Sequence, residues 1–436
     1  MNTYQQQIDE YIEANKDQLV RHIQEVVKIE SVIGNEKKMQ EYMERIYEEI
    51  GLEVKEVIPD YRKLTAHEAF VDSGISFENR KNIIGLYKGK GDGKSLTLHG
   101  HVDVVSPNPL EKWTKSPWDG EIEGTKLYGR GSADMKAGLI SNWFALKTLV
   151  DLGIQLQGTV QLHSVIEEEA GGGGGALACL EDGYVTDGFI STEPHNLNVT
   201  VAHAGIMYFR VKVVGKTAHA GLAHEGVNAI GKMYKIYHAL EELGRKRAKE
   251  IQFDLFNKGS GQSVHLNPGT LHAGDWVSNV AGHAVLECRI GFIPGEDRNS
   301  IKKLIYETIA RVANEDEWLK ENVPKIEWFG WSTEPWYQDP KHEFVASFLQ
   351  TASTILGEKV EIIGRASGND ARFTQYYNKP GICFGPTGGN IHGPDEFVEL
   401  DSVVKVTKVL ANYIIEWTSL HNTVNRKQEQ YESTSS

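Results

Sequence analysis

The sequence contains few cysteines, no long apolar run and no excess of positive charge. Its three cysteines, Cys179, Cys288 and Cys383, are far apart and form no Cys-x-x-Cys pair, so neither a disulfide framework nor a thiolate zinc site is supported. No apolar run reaches membrane-spanning length, and the N-terminus lacks the basic start and apolar stretch of a secretory signal. We therefore expect a soluble cytoplasmic protein in which histidine and carboxylate side chains hold any metal ion.

The charge balance excludes one class of function and favours another. The chain of 436 residues carries 46 basic and 60 acidic residues, a formal net charge of −14. Such a balance disfavours binding to nucleic acid or to acidic membrane surfaces, whereas an acidic pocket attracts cations. The chain is also longer than an ordinary domain of roughly 100–200 residues, which predicts two domains.

The order of the predicted elements indicates one domain inserted into another. After two opening helical patterns, Ile8–Val27 and Glu36–Ile50, strands alternate with helices, which favours a mainly parallel sheet covered by helices. Residues 203–333 instead follow the strand-helix-strand-strand-helix-strand order of a ferredoxin-like domain. We therefore expect an α/β catalytic domain, interrupted by this domain and followed by a polar, disordered tail. The expected boundaries are 1–202 and 334–436 for the catalytic domain, 203–333 for the insertion and 421–436 for the tail.

The first chemical motif lies at the end of an apolar strand, Ser95–Asp103. His101 and Asp103 are two positions apart, so they project from the same face of this strand. A metal-binding histidine needs an acceptor for its second ring N–H, which Asp103 supplies either directly or through the local geometry it imposes. Alone, the pair is also typical of a solvated strand end.

The second motif is the glycine-rich segment Gly129–Gly138, which leads into a predicted helix. Asp134 occupies the position of a helix N-cap, and capping is its ordinary explanation. In the alternative, Asp134 is a carboxylate that bridges two metal ions. The neighbouring glycines then allow the backbone to approach a crowded site.

The third motif is an acidic triplet, Glu167, Glu168 and Glu169, at the end of the strand Thr159–Ile166. Three adjacent carboxylates repel one another unless a cation or a proton offsets them. With a metal ion present, one glutamate binds the ion while its neighbour acts as general base. A surface acidic patch is the alternative.

Two further motifs complete a possible ligand set. Glu193 follows another strand, Gly188–Thr192, and His392 lies in the loop Gly388–Pro394. Each is ordinary by itself. Together the five motifs supply two imidazoles and at least three carboxylates, which are the nitrogen and oxygen ligands that suit zinc.

In this order, the five motifs resemble the M20 metallopeptidase family, to which acetylornithine deacetylase, succinyl-diaminopimelate desuccinylase, aminoacylase-1 and carboxypeptidase G2 belong. The resemblance covers nearly the whole chain, including the inserted domain. It implies two zinc ions, for which cobalt can substitute. By this resemblance, His101, Asp134 and Glu193 hold one ion. Asp134, Glu169 and His392 hold the other, so Asp134 is shared.

The acidic triplet departs from the family pattern, which is Asp-Glu-Glu. Glu167 takes the place of the aspartate, which makes Glu168 the general base and Glu169 the ligand. The other register, with Glu167 as base and Glu168 as ligand, stays open at the level of sequence. The resemblance also gives Asp103 a catalytic role beside His101.

The inserted domain contains a further family motif, Gly215–Gly221. The resemblance implies that this domain is a lid through which two chains dimerise, and that His219 stabilises the oxyanion in the partner subunit's active site. It further implies that Asn279, Arg289 and Asp370 bind the substrate. We therefore expect a homodimer with a small-molecule substrate.

The reaction implied by the resemblance is hydrolysis of the amide bond of a small N-acyl amino acid or related amine, as in acetylornithine deacetylase. A metal-bridging hydroxide attacks the amide carbon, and Glu168 transfers the proton to the leaving amine. Two enzymatic alternatives stay open, a formylaminopyrimidine deformylase of thiamine salvage and a metallo-exopeptidase. A non-catalytic metal-dependent binding protein is the alternative of another class, and the presence of Glu168 argues against it.

Overall fold

The computed structural model describes residues 3–421, so that only the first residue of the expected tail, 421–436, is included. The chain divides into two compact units. Their described residues are 3–201, 338–362 and 369–421 for the first unit, and Ala202–Tyr337 with Ile363–Gly368 for the second. Residue 202 and residues 334–337 and 363–368, which the sequence assigns to the catalytic domain, belong to the second unit.

Helices form much of both units. Within the described residues, no helix is both long and apolar enough to cross a membrane. The helices are α1 (Gln5–Ala14), α2 (Lys16–Val27), α3 (Lys37–Glu49), α4 (Tyr61–Leu64), α5 (Ala137–Asp151), α6 (Ala178–Glu181), α7 (Ala229–Glu250), α8 (Asp254–Ser260), α9 (Arg298–Asn314), α10 (Glu317–Glu321), α11 (Glu343–Leu356) and α12 (Leu400–Thr418).

The strands range from two to ten residues in length. They are β1 (Glu53–Val57), β2 (Asn82–Tyr87), β3 (Leu96–His101), β4 (Ile122–Glu123), β5 (Lys126–Tyr128), β6 (Val160–Val165), β7 (Phe189–Ser191), β8 (Val199–His203), β9 (Gly205–Val214), β10 (Leu266–Ala273), β11 (His283–Phe292), β12 (Lys325–Thr333), β13 (Trp336–Tyr337), β14 (Ile362–Arg365), β15 (Gly381–Cys383), β16 (Gly388–Gly389) and β17 (Phe397–Glu399).

The first predicted helix, Ile8–Val27, is two helices in the structure. The break lies at Asn15, whose backbone departs from helical geometry at φ −111° and ψ 15°. Its side-chain amide donates a 2.8 Å hydrogen bond to the carbonyl oxygen of Tyr11. Asparagine favours such local bonds to the backbone, which compete with helix continuation, and this explains the break.

The first unit is built around a mixed sheet with strand order β1-β2-β6-β3-β7-β15-β8. The central pairs β6-β3, β3-β7 and β7-β15 are parallel, and the flanking pairs are antiparallel. Every residue of β3 is buried, and α5 packs against β3 and against α2 and α12. Burial of this kind is typical of parallel strands with covered faces, so the expected mainly parallel α/β fold is confirmed.

A second, smaller sheet in the first unit has the order β16-β17-β5-β4 and is antiparallel. Strand β5 leads into the turn 129–136, whereas β16 and β17 flank the loop 390–396. The pairing of Phe397 with Tyr128 joins β17 to β5. The small sheet thus brings together two loops that are far apart in sequence.

The second unit contains an antiparallel sheet of order β10-β11-β9-β12, with α7 and α9 in its core. Its strands and main helices follow the β-α-β-β-α-β order, with the short helices α8 and α10 added. Alternate residues of β9 and β11 are buried, as expected for strands with one covered face. The buried strand residues are Met207, Phe209, Val211, Val213, Ala284, Leu286, Cys288 and Ile290.

Candidate metal centre and active site

The central sheet explains why distant acidic and histidine residues meet. Strands β6, β3 and β7 are parallel neighbours, so their carboxyl ends lie at one edge of the sheet. His101 is the last residue of β3, Glu168 and Glu169 follow β6, and Glu193 follows β7. In α/β sheets, this edge is where functional side chains commonly converge.

Asp134 lies between two histidines. Its Oδ1 is 3.1 Å from Nε2 of His101, and its Oδ2 is 3.5 Å from Nε2 of His392. His101 Nε2 is also 3.7 Å from Glu193 Oε1, while His392 Nε2 is 3.0 Å from Glu169 Oε2. The two groups share Asp134. The structure thus brings together all five residues expected to hold metal ions, although its closest groups of donor atoms are His101, Glu168 and Glu193, and His101, Asp134 and Glu169.

The cluster contains more carboxyl groups than its positive neighbours can keep ionised. Burial and the neighbouring Asp370 carboxylate raise the pKa of Glu168 well above its ordinary value. Burial, followed by the charge of Asp134, likewise raises the pKa of Glu193. Burial opposes ionisation of Asp134 as well, but its hydrogen bonds to the two histidines lower its pKa. Several acids therefore compete for few positive partners.

The neighbouring carboxylates also raise the pKa values of the two histidines, which favours their charged form. Burial lowers the pKa of His101, but the hydrogen bond to Asp134 and the surrounding carboxylates outweigh it, so that this pKa is raised. Hydrogen bonds to Asp134 and Glu169 raise the pKa of His392 to about 10. Divalent cations bind deprotonated ligands and displace such protons. The imidazole and carboxylate donors fit zinc.

The acceptor for the second nitrogen of His101 is a backbone group. Nδ1 of His101 is 2.8 Å from the carbonyl oxygen of Asp103 and 3.6 Å from its carboxylate. The Asp103 carboxylate instead accepts hydrogen bonds from the backbone N–H groups of Glu168 (3.2 Å) and Glu169 (3.1 Å). Asp103 therefore orients the histidine through its backbone and the acidic triplet through its side chain.

The three residues of the acidic triplet have different partners. Glu167 pairs with an arginine, whereas Glu168 and Glu169 lie beside His101. Glu167 Oε2 accepts a 3.0 Å hydrogen bond from Arg80 Nη1, and the same guanidinium binds Glu36. A carboxylate oxygen of Glu168 lies within 4.8 Å of ligand atoms of His101 and Glu193. A carboxylate oxygen of Glu169 lies within 4.8 Å of ligand atoms of His101 and Asp134. This geometry argues against the register in which Glu167 is the base.

Asp134 does not cap a helix. Helix α5 begins at Ala137, and the Asp134 backbone has φ −112° and ψ 93°. Gly131 has φ +77°, and a Cβ there would lie 2.4 Å from Val104 Cγ1. The capping explanation thus fails, whereas the expected need for glycine in a crowded turn holds at this position.

Asp370, expected at the substrate, is fully buried instead. Its Oδ2 is 3.0 Å from Nε2 of His99, and its Oδ1 is 3.6 Å from Nη1 of Arg372. A Cβ on Gly172 would come within 2.2 Å of Asp370 Oδ1, which explains one position of the glycine run. The carboxylate is thus enclosed, and it lies close enough to Glu168 to raise the pKa of that residue.

The remaining expected site residues lie in the second unit. His219 and Asn279 face each other in an antiparallel bridge, and Gly221 N donates a 3.0 Å bond to Nδ1 of the exposed His219. Arg289 lies on β11 and donates a 2.9 Å hydrogen bond to the carbonyl oxygen of Ala366. The structure therefore pairs His219 with Asn279 and positions Arg289 separately.

Sequence reasoning missed four charged residues that support this cluster. They form two buried arginine–glutamate groups, with Arg80–Glu36 beside Glu167 and Arg130–Glu396 beside Asp134. Arg130 stands within the second motif and Glu396 four residues after His392, so proximity to the motifs was the available signal. Nothing comparable marks Arg80 or Glu36 in the sequence.

The chain belongs to peptidase family M20/M25/M40, whose model matches residues 97–416. Its relatives include enzymes named deformylase, desuccinylase and deacetylase, and the chain is accordingly a hydrolase of the amidohydrolase and peptidase type. Members of the family are dinuclear metal-dependent enzymes. The cluster around Asp134 is the corresponding possible metal centre of this chain.

Two relatives and one solved structure illustrate the similarity. The N-formyl-4-amino-5-aminomethyl-2-methylpyrimidine deformylase of Halalkalibacterium halodurans is 26% identical, covering 94% of this chain and 96% of its own. A probable succinyl-diaminopimelate desuccinylase of Staphylococcus epidermidis is 25% identical, covering 88% of this chain and 93% of its own. The YXEP protein of Bacillus subtilis, a dinuclear metal binding peptidase from the M20 family, shares the fold. Its TM-score is 0.63 and its sequence identity is 17%, and the match covers 93% of this chain and 99% of the YXEP chain.

Proposed function

We propose that the chain is a two-zinc hydrolase that cleaves the amide bond of a small N-acylated amino acid or related amine. The position of Asp134 carries this proposal, because one carboxylate oxygen lies toward each of two histidines. A shared carboxylate between two ligand groups suits a pair of metal ions. We call His101, Asp134 and Glu193 the inner half-site, and Asp134, Glu169 and His392 the outer half-site.

Glu168 is the general base in this proposal. When bound, the two ions supply Lewis-acid activation of water and polarisation of the substrate carbonyl. Glu168 takes a proton from the attacking water and delivers it to the leaving amine. Two observations support this role. The Glu168 carboxylate lies among the ligand atoms of His101 and Glu193, and Asp103 holds its backbone N–H.

His219 is proposed to stabilise the oxyanion of the other subunit in a homodimer built through the second unit. His219 is exposed, and the same unit exposes Trp276 (67%), Val277 (89%) and Tyr234 (64%). Exposed aromatic and aliphatic side chains of this kind are typical of an interaction surface. Sedimentation of the purified chain tests the dimer, and a fully active monomer would contradict it.

The substrate class rests on the two remaining polar residues of the second unit. Arg289 is proposed to receive a carboxylate of the substrate, which favours an N-acyl amino acid, and Asn279 to bind a polar group beside His219. A second candidate is removal of a formyl group from an aminopyrimidine amine. The similarity to the deformylase over 94% of this chain favours that candidate.

A hydrolysis screen with zinc supplied separates these candidates. It compares N-acetyl and N-succinyl amino acids, an N-formyl aminopyrimidine amine and dipeptides. We expect turnover of an N-acyl amino acid that falls in Arg289→Ala through a higher KM. Turnover of the formyl pyrimidine alone would favour the second candidate, and dipeptide cleavage would favour an exopeptidase. Two bound zinc ions without hydrolysis of any amide would favour a binding protein.

A further inference from the structure

The carboxylate of Glu396 is buried and accepts hydrogen bonds on both oxygens. Its Oε1 accepts from the backbone N–H groups of Ala133 and Asp134, each at 3.1 Å. Its Oε2 accepts from the N–H of Gly131 at 3.1 Å and from Arg130 Nη1 at 2.5 Å. One side chain thus holds three backbone groups of the turn that contains the shared ligand.

The same side chain belongs to the loop that contains His392. Glu396 follows this histidine by four residues, and its own carbonyl oxygen accepts a 2.9 Å hydrogen bond from Gly129 N. Arg130 Nη2 donates a 3.1 Å bond to the carbonyl oxygen of Gly393. Arg130 and Glu396 therefore connect the Asp134 turn to the His392 loop in both directions.

The other ligands are held in a different way. His101 ends β3 in the middle of the central sheet, and its Nδ1 is fixed at 2.8 Å from the Asp103 carbonyl oxygen. Glu193 follows β7, the neighbouring strand. His392, by contrast, is half exposed and stands in a loop. Loss of the attachment would release the loop that holds His392, which only the outer half-site contains, whereas the Asp134 carboxylate would keep its 3.1 Å contact with His101 in the sheet.

We propose that Glu396 is a positioning residue that sets the distance between Asp134 and His392 and thereby determines the metal affinity of the outer half-site. This inference rests on the proposed two-metal function. Its physical basis is desolvation, because the three backbone N–H groups and the Arg130 guanidinium need a buried anionic acceptor. Without it, the turn and the loop lose their common attachment.

Glu396→Gln tests this role with little change in shape. The amide oxygen still accepts hydrogen bonds, but the NH2 group is a donor and leaves at least one buried donor unpaired. Titration of the metal-free protein with zinc against a competing chelator measures both affinities. We expect the affinity of the outer half-site, identified as the one that His392→Ala abolishes, to fall about 10- to 100-fold, as for other residues that orient metal ligands. The affinity of the inner half-site should stay close to that of the unmodified protein.

A matched control lies in the second unit. Glu296 forms a two-bond pair with Arg247, each bond at 2.9 Å, and accepts a backbone N–H from Ile293. Glu296→Gln removes a similar pair without touching the metal ligands. Its thermal unfolding should change, while both zinc affinities should not. Equal loss of both affinities in Glu396→Gln, or no loss, would overturn the proposal.

A double-mutant cycle tests whether Glu396 acts through His392. In His392→Ala, only the inner half-site keeps its full ligand set, so adding Glu396→Gln should have little further effect on the remaining zinc affinity. A further fall in the remaining affinity, as large as the fall that Glu396→Gln causes alone, would contradict the proposed path. The visible spectrum of bound cobalt gives a second readout, since coordination geometry determines it, and Glu396→Gln should change the contribution of the outer half-site.

Two further measurements keep the result interpretable. If Glu396→Gln does not fold, Arg130→Lys replaces it. This variant keeps the charge opposite Glu396 but loses the guanidinium fork that reaches Gly393. A smaller, equally selective loss of zinc affinity is expected. Equal zinc affinities in Arg130→Lys and the unmodified protein would count against the proposal. An unmodified protein that binds two zinc ions but hydrolyses no amide refutes the proposed function alone. One that binds fewer than two refutes both.

Discussion

Two groups of buried acids in the first unit differ in what balances their charge. Glu36 and Glu167 share the guanidinium of Arg80, and Glu396 has Arg130. Within the described residues, the ion pairs of the cluster around Asp134 involve histidines instead. An arginine fixes charge permanently, whereas histidines release protons to an arriving cation. The comparison indicates that arginine-paired acids hold the architecture, while acids beside histidines are available for metal binding and catalysis.

The largest expected effect concerns catalysis by the second group. Glu168→Gln removes the proposed proton acceptor but preserves the shape and burial of the side chain. Activity on the substrate found in the screen should fall about 10²- to 10⁴-fold, while zinc content stays near two per chain. Glu48→Gln, on the exposed face of α3, is the control and should change neither quantity. Retained turnover in Glu168→Gln would remove the base assignment.

The second prediction concerns metal binding. His392→Ala takes away the only imidazole of the outer half-site, and the remaining carboxylates do not make a complete nitrogen and oxygen ligand set for zinc. Zinc content, measured by atomic emission after gel filtration, should fall to about one per chain. His421→Ala, at an exposed histidine of the same unit, should retain both ions. Two tightly bound ions in His392→Ala would contradict the outer half-site.

The third prediction concerns the arginine-paired acids. Arg80→Met leaves Glu36 and Glu167 buried without their cation, and breaking a buried pair in this way costs about 3–5 kcal/mol. Urea unfolding should show that loss. Arg45→Met removes an exposed pair with Glu49 and should cost less than about 1 kcal/mol. If both variants lose the same amount, burial does not distinguish the two kinds of ion pair here.

The sequence predicted the parts of the site that depend on strand ends. His101, Glu168, Glu169 and Glu193 each follow an apolar run of recognisable strand character, and parallel order brings such ends together. Each motif alone also fits an ordinary solvated strand end or surface acidic patch. Those alternatives became less plausible only because several motifs lie at the ends of strands. The mainly parallel sheet of the first unit was predictable for the same reason.

The support for Asp134 was not predictable from its own neighbourhood. Its turn is attached through Glu396, and the strands that bring the two segments together, β5, β16 and β17, have two or three residues each. Such short strands contain too few residues for a periodic pattern. Arg80 reaches Glu167 from a loop of the same unit, and no local pattern encodes this contact. Burial of Asp370 likewise involves two segments that are distant in sequence, at His99 and Gly172.

The smallest expected effect extends the comparison to an acid in the second unit. Asp316 caps α10 by accepting the N–H groups of Trp318 and Leu319. Burial raises its pKa, but hydrogen bonds from Lys232 and Lys235 outweigh burial and hold the pKa below its ordinary value of 3.8. A lowered pKa stabilises the fold above the unfolded-state value, and this contribution is lost as the pH falls toward the folded-state value.

Asp316→Asn keeps a capping oxygen but removes the charge. Because Lys235 is 54% exposed and Lys232 23% exposed, solvent screens the pairs, and the cost at pH 7 should be about 1 kcal/mol. Urea unfolding of both proteins at pH 7 and below pH 4 measures the difference. The difference between the two free energies should shrink progressively as the pH falls below 4 toward the folded-state pKa, since protonation removes the same charge from the unmodified protein. A difference that persists or grows in acid would mean that the lysines do not stabilise the ionised Asp316. This acid would then resemble the unbalanced acids of the cluster around Asp134.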